Sequence, residues 1–375
     1  MIRFENVTKA FKHGEVIKNL SFEIQDGEMV VLVGPSGCGK TTTLKMINKL
    51  TRPTSGKILI DDQDIARLDT VKLRRKIGYV IQKTGLFPHM TVKDNIEIIL
   101  QLEGMNADQR DHITSEMMRI VGMDPEEYLY RYPSQLSGGQ LQRIGVARAF
   151  ASDPKIVLMD EPFSALDPIT RAQLQSELVG LQTRLKKTVV FVTHDMDEAI
   201  KIADRICIID GGRIVQYDTP ENILKNPVNE YISSFVGRKR IWNTPELIRV
   251  RDIMLAKPAA CTPETSLTKC AELMAANEIN AVPVVDSENH LIGVAYGADI
   301  QKQDAHAQSV GDIMKTKFPQ TAPEKNLLEI LDYVRRNQLD FVPVADGEKR
   351  LAGLITSKSL MTVLSQQFVD TEASI

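Results

Sequence analysis

The segment Gly34-Pro35-Ser36-Gly37-Cys38-Gly39-Lys40-Thr41 follows directly on the apolar run Met29 to Val33 and leads into a helical run from Thr42 to Leu50. It fits G-x-x-x-x-G-K-[ST] in the strand, loop and helix order that gives the pattern its meaning. The glycines let successive backbone N–H groups converge on phosphate oxygens, with Ser36, Cys38 and Thr42 in the same cradle. The start of the helix adds its positive end, Lys40 reaches the β and γ phosphates, and the Thr41 hydroxyl is placed to ligate Mg²⁺. Few other short segments commit a chain so firmly to an α/β fold with a nucleoside triphosphate at the strand ends.

The rest of the first 235 or so residues agrees. Apolar stretches at Met29 to Val33, Ile77 to Gln82, Ile156 to Asp160, Val189 to Thr193 and Arg205 to Asp210 alternate with helical segments. That alternation predicts a parallel sheet covered by helices. The strand ending in Asp160 and Glu161 stops at two adjacent carboxylates, which packing alone does not require. Asp160 is suited to hold Mg²⁺ through water, and Glu161 to accept a proton from an attacking water. Between these pieces, Ser137-Gly138-Gly139-Gln140 opens an amphipathic helix carrying Arg143 and Arg148, a second anion-binding helix start.

These motifs, in this order, resemble the ATP-binding cassette (ABC) ATPases over the whole N-terminal segment. The resemblance implies that Lys40 and Thr41 belong to the Walker A loop, that Gln82 is the Q-loop glutamine and a further Mg²⁺ ligand, and that Ser137, Gly138, Gly139 and Gln140 form the signature. It implies Asp160 for Walker B, Glu161 as catalytic base, Asp167 at the end of the D-loop Ser164-Ala165-Leu166-Asp167, and His194 as the switch histidine. Phe11 stands where the family has an aromatic stacked on adenine, although it could equally pack into the N-terminal sheet. Cys38 reads as a small loop filler rather than a redox switch. The family also implies a head-to-tail dimer with ATP between the Walker A loop of one copy and the signature of the other, since one chain has a single copy of each. Gly85 to Ile96 looks like the segment on which importer cassettes receive a membrane subunit. Its apolar residues have internal packing as the alternative reading.

The C-terminal part is internally duplicated. Val250 to Ile300 aligns without gaps on Val310 to Leu360, with Asp252-Ile253-Met254 on Asp312-Ile313-Met314 and Val282-Pro283-Val284 on Val342-Pro343-Val344. Each copy reads as a helix (Leu267 to Asn277; Leu327 to Asn337) followed by two strands, and is too small to bury its sheet alone, so the copies should pack face to face. The repeats resemble a pair of CBS motifs. The expected organisation is therefore an ABC ATP-binding domain over 1–237, a linker over 238–249 with Arg238, Lys239, Arg240 and Trp242, CBS motifs over 250–308 and 309–366, and a tail over 367–375.

A cassette followed by two CBS motifs is similar to the ATPase subunits of osmoprotectant importers, which implies glycine betaine, carnitine or choline as solute, held by other subunits. Nucleotide-binding CBS units often show Thr and Asp after the second strand. Here the first copy keeps Asp299 but has Tyr296 for Thr, and the second keeps Thr356 but has Ser359 for Asp. The resemblance to regulated osmolyte importers implies, as one reading, a symmetric ligand shared across a dimer of CBS pairs, cyclic di-AMP, with Tyr296 stacking on adenine and Lys358 or Arg350 near phosphate. A dimerisation scaffold or an ionic-strength sensor is the other.

The 375 residues carry 46 Lys and Arg against 49 Asp and Glu, a net charge of −3 that provides no global field for nucleic acid. That balance disfavours a soluble cassette protein acting on nucleic acid or ribosomes, and the CBS tail disfavours an efflux ATPase. No signal peptide or apolar run of about 18 residues is expected. The four cysteines, Cys38, Cys207, Cys261 and Cys270, have neither disulfide-scaffold density nor zinc spacing. The expected location is the cytoplasmic face of the cell membrane, peripheral through a separate permease, with a substrate-binding protein as an indirect partner.

Overall fold

The structure is a computed structural model that describes residues 1–12, 14–82, 85–164, 166–237, 244–302 and 307–361. Ala165 of the D-loop, Arg238, Lys239, Arg240 and Trp242 of the expected linker, and the tail 367–375 lie outside these residues. The chain divides into two units, Met1–Val236 and Gly237–Ile375.

The first unit contains two sheets. Strands β1 (Ile2–Phe11), β2 (Gly14–Ile24), β4 (Ser55–Ile60) and β5 (Gln63–Asp64) form an antiparallel sheet in the order β2-β1-β4-β5. Strands β3 (Met29–Val33), β6 (Ile77–Val80), β7 (Ile156–Asp160), β8 (Thr188–Val192), β9 (Arg205–Asp210) and β10 (Arg213–Asp218) form the second, in the order β10-β9-β3-β8-β7-β6. Its strands are parallel except for β10, which runs antiparallel to β9. β3, β7 and β8 are buried at every position, which is why they read as unbroken apolar runs rather than alternating ones.

The helix Lys40–Ile47 is held in the core that both sheets share. Leu44, Met46 and Ile47 pack with Phe4 and Ile17 of the antiparallel sheet and with Leu32, Leu158 and Val190 of the parallel one. Its first residue, Lys40, is thereby fixed at the end of β3. A helical layer made of Val92–Leu102, Ala107–Ile120 and Gly138–Ala151 packs together, the last of these also against β6.

One expectation needs correction. β6 ends at Val80, so Gln82 lies two residues beyond the strand rather than at its end. The periodic pattern also gave no warning of the antiparallel sheet as a separate layer. β1 and β2 pair through three register shifts, and such irregularity breaks the period-two pattern that would have marked them.

In the second unit, the helices span Leu267–Asn277 and Leu327–Asn337, and the hairpins are β11 (Ala281–Val285) with β12 (Leu291–Tyr296) and β13 (Phe341–Ala345) with β14 (Leu351–Thr356). Ala281 and Val294 of one sheet meet Phe341 and Leu354 of the other, the expected face-to-face packing. The copies also exchange their leading segments. Val250 N–H donates to Lys325 O at 2.8 Å and Leu255 bridges Leu354, while Val310 N–H donates to Thr265 O at 2.9 Å and Lys315 bridges Val294. Ile248, expected in the linker, is fully buried with Leu327 and Ile330 in the core of the second copy. The exchange explains this: the residues ahead of each repeat complete the core of the other.

Candidate nucleotide site

The parallel sheet brings the ends of β3, β8, β7 and β6 to one edge, the place where open α/β sheets bind ligands. The loop after β3 requires glycine at two positions for steric reasons. Gly34 has φ 153°, and a Cβ there would lie 2.0 Å from Ile209 O; Gly39 has φ 106°, and a Cβ would lie 2.3 Å from Ile17 Cδ1. Both residues press the loop against neighbouring backbone or core, while Pro35, Ser36 and Gly37 face outward.

Lys40 is buried, and its ammonium donates to Gly34 O at 2.7 Å and Pro35 O at 2.9 Å, so the cation sits inside the loop's own curve. Cys38 is buried beside it. Burial pushes its thiol above the ordinary range against the opposing pull of Lys40, which suits a filler and not a reactive thiol. Thr42 lies half-buried in the first turn, and Thr43 donates back to Gly39 O at 3.0 Å.

Thr41 Oγ1 donates to Asp160 Oδ1 at 2.7 Å, joining the helix start to the end of β7. A hydroxyl and a buried carboxylate side by side at the loop mouth are hard oxygen donors of the kind Mg²⁺ takes. The next residue, Glu161, has φ 45°, a left-handed backbone uncommon for a residue with a side chain. Its N–H donates to Val192 O at 3.0 Å, and the Ser164 hydroxyl donates to its carbonyl at 3.1 Å. Thus turned, the Glu161 carboxylate accepts from Gln82 Nε2 at 3.0 Å and stands 3.5 Å from His194 Nδ1. The residues expected after β6, β7 and β8 therefore meet at one carboxylate.

Ser137 forms a separate cluster. Its hydroxyl accepts from Gln140 N–H at 3.3 Å, and Gln140 Oε1 accepts from Ser137 N–H at 2.8 Å, a reciprocal cap on the helix Gly138–Ala151. Gln140 Nε2 donates to the Tyr128 hydroxyl at 3.2 Å, a contact that sequence reasoning did not anticipate. Ser137, Gly138, Gly139 and Asp167 line one concavity. Asp167 caps Pro168–Leu185 through the N–H groups of Thr170 and Ile169, and hydrogen bonds from Thr170 above all hold its carboxyl below the usual range. Phe11 ends β1, paired with Gly14 in the antiparallel sheet, and its side chain is 50% exposed, with Lys9 Nζ 4.8 Å from its ring centre.

Comparison with known proteins supplies the family. The ABC transporter family model matches residues 17–164, and the CBS domain model matches 250–305 and 310–366. The chain is 44% identical over 366 residues to the glycine betaine/carnitine/choline transport ATP-binding protein OpuCA of Bacillus subtilis (strain 168), covering 97% of this chain and 96% of that protein. The chain belongs to the ABC transporter family. It is likewise 44% identical over 367 residues to the choline transport ATP-binding protein OpuBA of the same organism, with 97% and 96% covered. A dimeric structure of the ATP-binding cassette MJ0796 in a post-hydrolysis state, bound to ADP and Pi, matches with TM-score 0.54 and 36% identity over 59% of this chain and 99% of that one. This ABC protein thus has the cassette fold, a CBS pair behind it, and among its described residues no helix long and apolar enough to cross a membrane.

In the CBS pair, the expected ligand residues fall into two groups. Lys315 Nζ lies 3.0 Å from Asp299 Oδ2 and 5.0 Å from the Tyr296 ring centre. Thr356 and Ser359 cap each other, Ser359 Oγ accepting from Thr356 N–H at 3.1 Å, and Lys358 Nζ donates to Glu278 Oε2 at 3.0 Å. Lys315 was invisible to sequence reasoning because it reaches Asp299 through the exchanged leading segment.

Proposed function

We propose that this chain is the ATP-hydrolysing, energy-coupling subunit of an importer for quaternary ammonium osmoprotectants, of the glycine betaine, carnitine and choline class. The observation that carries the reading is that its likeness to transport ATP-binding proteins runs through cassette and CBS pair alike, over 97% of the chain. The geometry supports the chemistry. Lys40 and the N–H groups of the Gly34–Gly39 loop bind the phosphates, and Phe11, exposed at a hairpin end, offers its face to adenine. Thr41 and Asp160, with the Gln82 side-chain oxygen, would hold Mg²⁺, which neutralises phosphate charge when bound.

Glu161 accepts the proton of the attacking water, with Gln82 orienting its carboxylate and His194 beside it. The Ser137–Gln140 helix start then serves the ATP held by a second copy, in a head-to-tail dimer like the dimeric cassette it resembles. In keeping with a docking role for part of Gly85 to Ile96, Phe87, Pro88 and His89 are exposed, whereas Val92 and Ile96 belong to the core. A peripheral place at the cytoplasmic face, through a permease, follows from that role.

Extraction of the chain from its native membrane with mild detergent is expected to bring a multi-span permease with it, and the recovered complex in vesicles to take up labelled betaine only with ATP inside reach of the cassettes. Recovery with ribosomes or DNA instead would sink the reading.

For the CBS pair, we propose a regulatory ligand, cyclic di-AMP, stacked on Tyr296 with Lys358 or Arg350 at its phosphates. The Lys315 ammonium, over one face of Tyr296 and paired with Asp299, would have to leave that face or the base stack on the other. Calorimetric titration of the full chain with cyclic di-AMP should give saturable heat, weakened by Tyr296→Ala about 5- to 150-fold if stacking is worth about 1–3 kcal/mol. Absence of heat with the parent chain would leave the scaffold or ionic-strength reading.

A further inference from the structure

We propose that Asn95 is a positioning residue: it fixes the Phe87–Thr91 loop and ties it to the segment that leads into Ser137, so that a force on the loop is passed to the signature helix. The inference rests on the reading of this loop as the permease-facing segment.

Asn95 sits in the first turn of Val92–Leu102 and is fully buried, although helix starts of this kind usually leave a polar side chain in water. Its Oδ1 accepts from Phe87 N–H at 2.7 Å, and its Nδ2 faces Phe87 O at 3.1 Å, Met90 O at 3.2 Å and Thr91 O at 2.9 Å. One side chain therefore saturates the inward polar groups of the loop, while Phe87, Pro88 and His89 point outward. Without it, Phe87 N–H and Met90 O would lose their partner, whereas Phe87 O would keep Met90 N–H at 3.2 Å and Thr91 O would keep Asn95 N–H at 3.0 Å.

The same helix start is bonded to the lead-in of the signature. Val92 N–H donates to Arg131 O and Lys93 N–H to Leu129 O, both at 2.9 Å, so donors that a helix leaves free are taken up by residues 129–131. From there the chain makes one tight turn, Pro133–Gln135, and reaches Ser137. Tyr128, at the other side of Leu129, accepts from Gln140 Nε2. At the loop's opposite end, Gly85 O accepts from Arg148 of the signature helix at 2.8 Å. The loop is thus bonded at both ends to the signature helix or its lead-in, and Asn95 is the group that makes the loop stiff enough to transmit.

The test uses the full chain alone and assembled with its permease, with Asn95→Ala and with Asn95→Asp, which keeps the acceptor for Phe87 N–H but replaces the amide donor facing three carbonyls by an acceptor. Hydrolysis by the chain alone is expected to change by no more than about twofold, as for a group remote from the reacting atoms. The stimulation given by permease and solute should fall by about tenfold or more, the scale of an unpaired buried group. Hydrogen exchange at the Phe87 amide should accelerate in Asn95→Ala while the Gly138–Ala151 helix stays protected. Retained stimulation, or equal loss of basal and stimulated hydrolysis in a folded variant, would overturn the proposal. If the parent chain itself is not stimulated by a permease, the importer reading fails instead. Exchange at Phe87 then still decides whether Asn95 holds the loop, and unchanged exchange overturns it.

Discussion

Glu161→Gln is expected to bind ATP as the parent chain does while its turnover falls about 10²- to 10⁴-fold, the usual contribution of a general base. The substitution is nearly isosteric. A glutamine at 161 can still accept from Gln82 Nε2 and preserves the turn set by the Ser164 hydroxyl and by Val192 O, so the strained backbone at φ 45° has the same supports. Lys40, Thr41 and Asp160, which the proposed function places at the phosphate and metal end, are untouched. What disappears is basicity at one oxygen pair. In the proposed head-to-tail dimer, whose two ATP-bound copies hydrolysis would separate, the variant should also accumulate as a dimer with ATP. The measurements are phosphate release and sedimentation with and without ATP and Mg²⁺. Turnover within a few-fold of the parent, with ATP bound, would remove Glu161 from the role of base and leave its contacts with Gln82 and His194 without a catalytic meaning.

The site could be read ahead of the structure wherever a function imposes a residue type on the backbone. Gly34 and Gly39 are such cases: Ile209 O and Ile17 Cδ1 leave no room for a Cβ, so the spacing of glycines records a contact made far along the chain. The fully buried strands β3, β7 and β8 were legible for a related reason, since covering both faces demands apolar residues throughout. Illegible features depend on which distant segment arrives beside a residue. Lys315 looks like any surface lysine until the exchange of leading segments sets it on Asp299, and Ile248 looks like linker until the same exchange buries it. Asn95 is a polar residue in an amphipathic helix, and nothing in its sequence neighbourhood says that its side chain turns inward to hold Phe87, Met90 and Thr91. Gln82 illustrates a boundary effect: the apolar pattern continues through Ile81, but hydrogen-bonded pairing with β7 stops at Val80.

Lys40→Ala should have the opposite phenotype to Glu161→Gln, losing affinity first. The ammonium is buried and already directed inward by Gly34 O and Pro35 O, so it needs little reorganisation to serve a phosphate entering the loop. A hydrogen bond to a charged group is worth about 1.5–3 kcal/mol, which predicts ATP binding weaker by about 10- to 150-fold. Loss of a preorganised cation from the developing charge should lower turnover at saturation by about 10²- to 10³-fold more. Lys40→Arg is not expected to rescue either property, because a planar guanidinium is wider than the point charge that fits between two loop carbonyls. Nor should Lys40→Ala accumulate as an ATP-bound dimer under conditions where Glu161→Gln does. Calorimetric titration with ATP, phosphate release and a thermal melt to confirm folding would check this. ATP affinity within about twofold of the parent, the spread expected of uncoupled sites, would mean that the loop's backbone N–H groups alone hold the phosphates. The cation would then act on the fold through Gly34 and Pro35, not on the nucleotide.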